Sequence, residues 1–154
     1  MSGPWIKNFV GVRQSDLELL QVPNPKLELG LHVTIKTVQT GTLIGTLVGP
    51  LVQAYKGARD NDTLIQAAIN GGWIGAGVGL VAGPLLAIQH IHSLGTIRTY
   101  DRCYRLRFDG KQLRADRLFA VAAAAGYAIS GPAGFVLGVD LAALASGALN
   151  AILK

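Results

Sequence analysis

Asp140 is the one carboxylate set within the long apolar run Leu118–Leu153. A charge inside a membrane helix costs at least a few kcal/mol, so such a residue faces a cavity or a partner and is often functional. Its chemistry would be to line a polar path and meet a cationic group. The quieter alternatives are a pairing with Lys36 or Arg117, or uptake of a proton. A second concentration of chemistry is basic: Arg98, Arg102, Arg105, Arg107, Lys111, Arg114 and Arg117 stand against Asp101, Asp109 and Asp116, seven against three. Tyr100, Tyr104 and Phe108 recur at four-residue spacing through it, so a helix here carries an aromatic stripe beside an arginine face. Basic and aromatic residues together can bind RNA. Placed between apolar runs, they suit anionic lipid or the acidic surface of a partner subunit better, and nucleic acid is not expected. His90 and His92, two apart, point to different helix faces and make a poor metal pair. Cys103 is the only cysteine, so no internal disulfide is possible. The arginines around it would lower its thiol pKa, but no base accompanies it. No HExxH, CxxC, GxSxG or phosphate-binding glycine loop occurs. No catalytic residue, metal site or cofactor is expected.

The elements that must position these residues are apolar and rich in glycine. About 35 residues from Thr63 to Ile97 carry no formal charge, and Gly71, Gly75, Gly79 and Gly83 fall within them at every fourth position. Each glycine costs a soluble helix up to about 1 kcal/mol relative to alanine. In lipid, the same spacing lets two helix backbones approach closely. Gly41, Gly45 and Gly49 repeat the pattern, and each ladder ends in a Gly-Pro pair, Gly49-Pro50 and Gly83-Pro84. This looks like an internal repeat, two helices able to pack as an antiparallel hairpin. Gly134 and Gly138, extended backwards by Ser130, form a third ladder, and Ala122–Ala125 offers another close-packing face.

The sequence therefore predicts an all-α polytopic membrane protein: residues 1–33 as a peripheral or partner-bound arm, and residues 34–154 as a membrane domain of four glycine-rich helices packed as hairpins. The spans are expected near 34–55, 64–94, 112–129 and 132–153. Pro132 leaves a second possibility, one long kinked helix and three spans. Ser15-Asp16 is an expected helix start, and Pro23-Asn24-Pro25 an expected stop. Pro50 is a candidate kink, and Asp109-Gly110 a turn.

Composition agrees. Of 154 residues, 50% are hydrophobic and 15% charged, against about 25% charged in soluble domains; mean hydropathy is +0.38. The net charge of +5 lies mostly in connectors. Met1–Asn8 has no secretory pattern, and Asp16, Glu18 and Glu28 argue against an acid-poor presequence, so any organelle targeting is expected to be internal.

The ladder Gly41-Thr-Leu-Ile-Gly45-Thr-Leu-Val-Gly49, the Gly71–Gly83 ladder, Arg114-Ala-Asp116-Arg117 entering the third span and Ser130–Gly138 in the fourth resemble the Tim17/Tim22/Tim23 superfamily over about Thr34–Leu153. The resemblance implies a multi-pass protein of the mitochondrial inner membrane. It also implies one of two roles: a protein-translocase subunit with acidic intramembrane cavities, or the accessory subunit of respiratory complex I with the same fold. With Asp140 its lone intramembrane acid and a proline-rich arm, the chain is closer to the accessory subunit. Other subunits of a membrane complex, and an anionic phospholipid such as cardiolipin, are the expected partners. The positive-inside rule would place Arg98–Arg117 on the matrix face; the resemblance implies termini in the intermembrane space.

Overall fold

The computed structural model describes residues 3–152, and its regular structure is helical throughout. Five helices follow in order: α1 (Gly3–Phe9), α2 (Asp16–Leu20), α3 (Pro25–Tyr55), α4 (Asn61–Phe108) and α5 (Gly110–Ile152). Met1, Ser2, Lys154 and Leu153, the last residue of the fourth expected span, lie outside the described residues.

Local sequence explains the boundaries. Ser15 caps α2 in a reciprocal capping box with Glu18. α2 ends at Leu20, short of Pro23-Asn24-Pro25 as expected, and Pro25 opens α3, at a first-turn position where its missing N–H is no loss. The helix expected from residue 34 therefore begins earlier, within the segment 1–33 expected to be an arm. Asp60 caps α4 by accepting from the Thr63 N–H at 3.0 Å. The expected turn at Asp109-Gly110 is the junction of α4 and α5, where the Asp109 carboxylate accepts from the Gln112 N–H at 3.0 Å.

α4 and α5 each contain a break. In α4, Gly95 has φ 74° and ψ 172°, a conformation that essentially only glycine adopts. It divides a long limb, 61–94, from a short polar limb, 96–108. In α5, Ser130 and Gly131 leave the helical region, with Gly131 at φ 57°, and separate limbs 110–129 and 132–152. Pro50 and Pro84 sit inside helices whose backbone dihedrals stay helical around them. Both limbs of α5 are about 30 Å long, and α3 is about 46 Å.

α3 and the long limb of α4 form an antiparallel hairpin in backbone contact. A Cβ added at Gly41 would strike the carbonyl oxygen of Gly75, and one at Gly75 that of Gly41; Gly45 and Gly71 stand in the same reciprocal relation. Thr37 donates to the Gly79 carbonyl at 2.8 Å, a hydrogen bond across the interface. The two limbs of α5 repeat the device with Gly126 against Gly134 and Gly138 against the Ala122 carbonyl. Phe119, Ala123, Val139 and Ala142 form the core between them. The hairpins meet where Gly72 of α4 faces Thr46 of α3 and Val136 of α5, and where Trp73 stacks on Tyr127 and meets Phe135 edge-on.

Apart from Val22, Leu29, Phe119, Val136 and Val139, which are buried, burial runs opposite to a water-soluble core. Interior positions are held by Gly72, Gly79, Gly83, Gly134, Ala67, Ala76 and Ala87, while Ile74, Val81, Leu85, Ile88, Leu141 and Leu144 are more than 60% exposed. α4 and α5 are long and apolar enough to cross a membrane by length and composition. α3 does not join them on that measure, having a polar stripe at His32, Lys36, Gln39, Thr42 and Thr46.

Candidate functional site

Two polar constructions stand out, one at the arm end of the bundle and one within its apolar part. At the arm end, Arg107 of the short α4 limb and Glu28 of the first turn of α3 are each 3% exposed. Arg107 Nε donates to Glu28 Oε2 at 3.1 Å and Nη2 to Oε1 at 2.5 Å, a bidentate pairing that only a planar guanidinium can make. Its Nη1 donates to the carbonyls of Leu19 (3.1 Å) and Gln21 (2.7 Å), so the buried cation also pins the C-terminal end of α2. Arg117 does the same for α1, donating to the carbonyls of Phe9 (2.8 Å) and Asn8 (2.5 Å). Tyr100 reaches the Leu20 carbonyl, and the Asn8 amide donates to that of Arg107. Val22, Leu29 and Cys103 form a small apolar core beneath. The N-terminal segment is thus hydrogen-bonded onto α4 and α5.

Cys103 is 2% exposed, and its thiol donates to the Pro25 carbonyl at 3.0 Å. Burial, with the Glu28 carboxylate adding to it, pushes the thiol up to about 11; the Leu29 backbone and Arg107 oppose this only in part. The expectation of a lowered thiol pKa is overturned, because the nearest arginine is already paired and the site is dry.

Asp116 is buried where α5 leaves this polar end. Its carboxylate takes Lys36 Nζ at 2.6 Å, the Gln112 amide at 3.0 Å and the Gln39 amide at 3.4 Å, with His32 Nδ1 at 3.6 Å. Lys36 therefore pairs with Asp116, and neither proposed cationic partner reaches Asp140. Asp140 lies deeper, half-buried against the Thr46 hydroxyl, and its Oδ1 is a buried oxygen without a hydrogen-bond partner among the described residues. The α3 stripe thus meets two α5 carboxylates at different depths.

The other basic residues separate cleanly. Arg98, Arg102, Arg105, Lys111 and Arg114 are exposed, whereas Arg107 faces inward and Arg117 is half-buried. Arg105 pairs with Asp101 at 2.9 Å, and Arg102 meets His90 Nε2 at 2.9 Å. Tyr104 and Phe108 touch, with centroids 4.9 Å apart, as four-residue spacing requires. Among the described residues, no three His, Cys, Asp or Glu side chains come together as metal ligands.

Glu28, His32, Gln39, Thr46 and Asp116 were not singled out by sequence as site residues. The signal was present for the α3 members: 32, 36, 39 and 46 follow one helix face, distinct from the face of Gly41, Gly45 and Gly49.

Fold and site define a small all-helical protein, joined by glycine contacts along its apolar length and by buried ion pairs at one end, with two helices able to cross a membrane. The chain belongs to the family described as "Protein of unknown function (DUF1757)", which it matches over residues 5–149. No curated protein matches it.

Proposed function

We propose that this chain is a non-catalytic, multi-pass subunit that stabilises a large membrane assembly. The inverted burial carries the reading: glycine and alanine inside, and large aliphatic side chains outside along both long hairpins. In water such flanks would be an aggregation surface; in a bilayer they face lipid or neighbouring helices. Four spans are the natural arrangement, α3, the long α4 limb and the two α5 limbs, with the arm and the basic limb together at one surface. The glycine ladders and their resemblance to the Tim17/Tim22/Tim23 superfamily support the mitochondrial inner membrane as the compartment and respiratory complex I as the assembly. The exposed Arg98, Arg105, Lys111 and Arg114 suit acidic partner surfaces or anionic headgroups. The clamped arm presents a fixed surface for docking.

One observation favours a second reading, a translocase subunit with a polar path: the unpartnered buried oxygen of Asp140 beside Thr46. Asp140→Asn in the native membrane separates the two. For a structural subunit, the assembly forms and functions with little change. Loss of precursor transport with the assembly intact would establish the path and overturn the structural role.

A further inference from the structure

On one side of the α3–α4 hairpin lies a groove of about 460 Å³. Toward the polar end of the bundle it is lined by Arg102, His90, Lys36 and His32, its basic rim, and farther along the hairpin by Val33, Gly41, Val78, Gly79 and Ala82, its apolar floor. From His90 to Val78 the groove follows about 18 Å of helix, so it runs lengthwise from a basic rim to an apolar floor. The charges at the rim are not equivalent. Lys36 is taken by Asp116, whereas Arg102 touches the His90 imidazole and, among the described residues, no carboxylate. His90 Nε2, receiving from a guanidinium, holds that arginine over the groove without neutralising it. Thr37 and Thr40 also line the groove.

We propose that this groove binds one anionic glycerophospholipid from the surrounding bilayer, its phosphate on Arg102 and an acyl chain on the apolar floor. The proposal rests on the membrane reading above and deepens it, replacing a diffuse basic surface with one defined site. Charge complementarity selects the occupant: an unpaired guanidinium presents the fork that phosphate oxygens match, and the floor of Val33, Val78 and Ala82 offers a hydrocarbon tail an apolar surface.

The test uses the purified full chain in mild detergent, stripped of lipid and titrated with dioleoyl phosphatidylglycerol or dioleoyl phosphatidylcholine, with bound lipid counted by native mass spectrometry. One phosphatidylglycerol per chain is expected, bound about tenfold more tightly than by Arg102→Gln, the loss of one charge-assisted contact. Arg59→Gln, which removes a cation from the distant α3–α4 loop, should bind as the parent does. Ala82→Phe fills the floor without touching a charge and should weaken binding at least as much, which keeps the test sharp if Arg102→Gln loses helicity. Equal retention of phosphatidylcholine, or equal weakening by Arg59→Gln, overturns the site. Release of the chain from membranes by alkaline carbonate would overturn the membrane reading itself, and the site with it. A carbonate-resistant chain that ignores the headgroup overturns the site alone.

Discussion

Arg107 spends its donors on Glu28 and on two carbonyls at the C-terminal end of α2, Leu19 and Gln21. Removing one member of a buried pair strands the other, at a cost of about 3–5 kcal/mol. Arg107→Met should therefore destabilise the polar end by that order and open residues 3–22 to proteolysis, whereas Arg105→Met, removing an exposed pair, should change stability by less than about 1 kcal/mol. Limited proteolysis with a denaturation series checks both. Cys103 gives a pH signature. Its folded-state pKa near 11 lies above its ordinary value of 9.0, so its contribution is complete below pH 9 and is lost as pH rises from 9 through 11. Maleimide should label the folded protein very slowly at pH 8 and the denatured chain quickly, and Arg107→Met should speed the native reaction. Sequence could not separate these arginines, because Arg105 and Arg107 lie two apart on opposite sides of one helix. Which of them is buried depends on Glu28, nearly eighty residues away in the chain.

Elements were more legible, because period and punctuation are local. The ladders at Gly41–Gly49 and Gly71–Gly83 mark the faces that meet, and carbonyl-to-glycine contact is the reason no side chain fits there. Gly75→Ala should push the Gly41 carbonyl away and cost about 1–3 kcal/mol by overpacking. Gly77→Ala, with open space around it, should be neutral or stabilise by up to about 1 kcal/mol through helix propensity. Thermal unfolding in detergent distinguishes them. Breaks were legible only in part. The expected spans 112–129 and 132–153 put one at Ser130-Gly131, where α5 does leave the helical region, but the break at Gly95 was not foreseen, and the Gly-Pro pairs at 49–50 and 83–84 stay helical. A membrane-type helix tolerates a proline whose freed carbonyl finds other partners, whereas φ 74° at Gly95 excludes a side chain almost outright. Gly95→Ala is expected to weaken docking of the short α4 limb and, through it, the arm.

At the scale of the whole molecule, two hairpins are joined by few contacts: Gly72 against Thr46 and Val136, the Trp73 aromatic cluster, and Asp116 on the α3 stripe. Sequence supplied the hairpins but not their docking, since that depends on a stripe whose partners are two carboxylates of α5. A fold so loosely closed, with its aliphatic residues outward, suits a protein completed by its surroundings, and this is the central claim. The most direct measurement is mild-detergent native electrophoresis of the tagged protein from its own membranes, with mass spectrometry of whatever co-migrates. The account predicts migration within a very large complex together with redox subunits. Migration alone, or in a smaller complex with precursor-handling proteins, would contradict it.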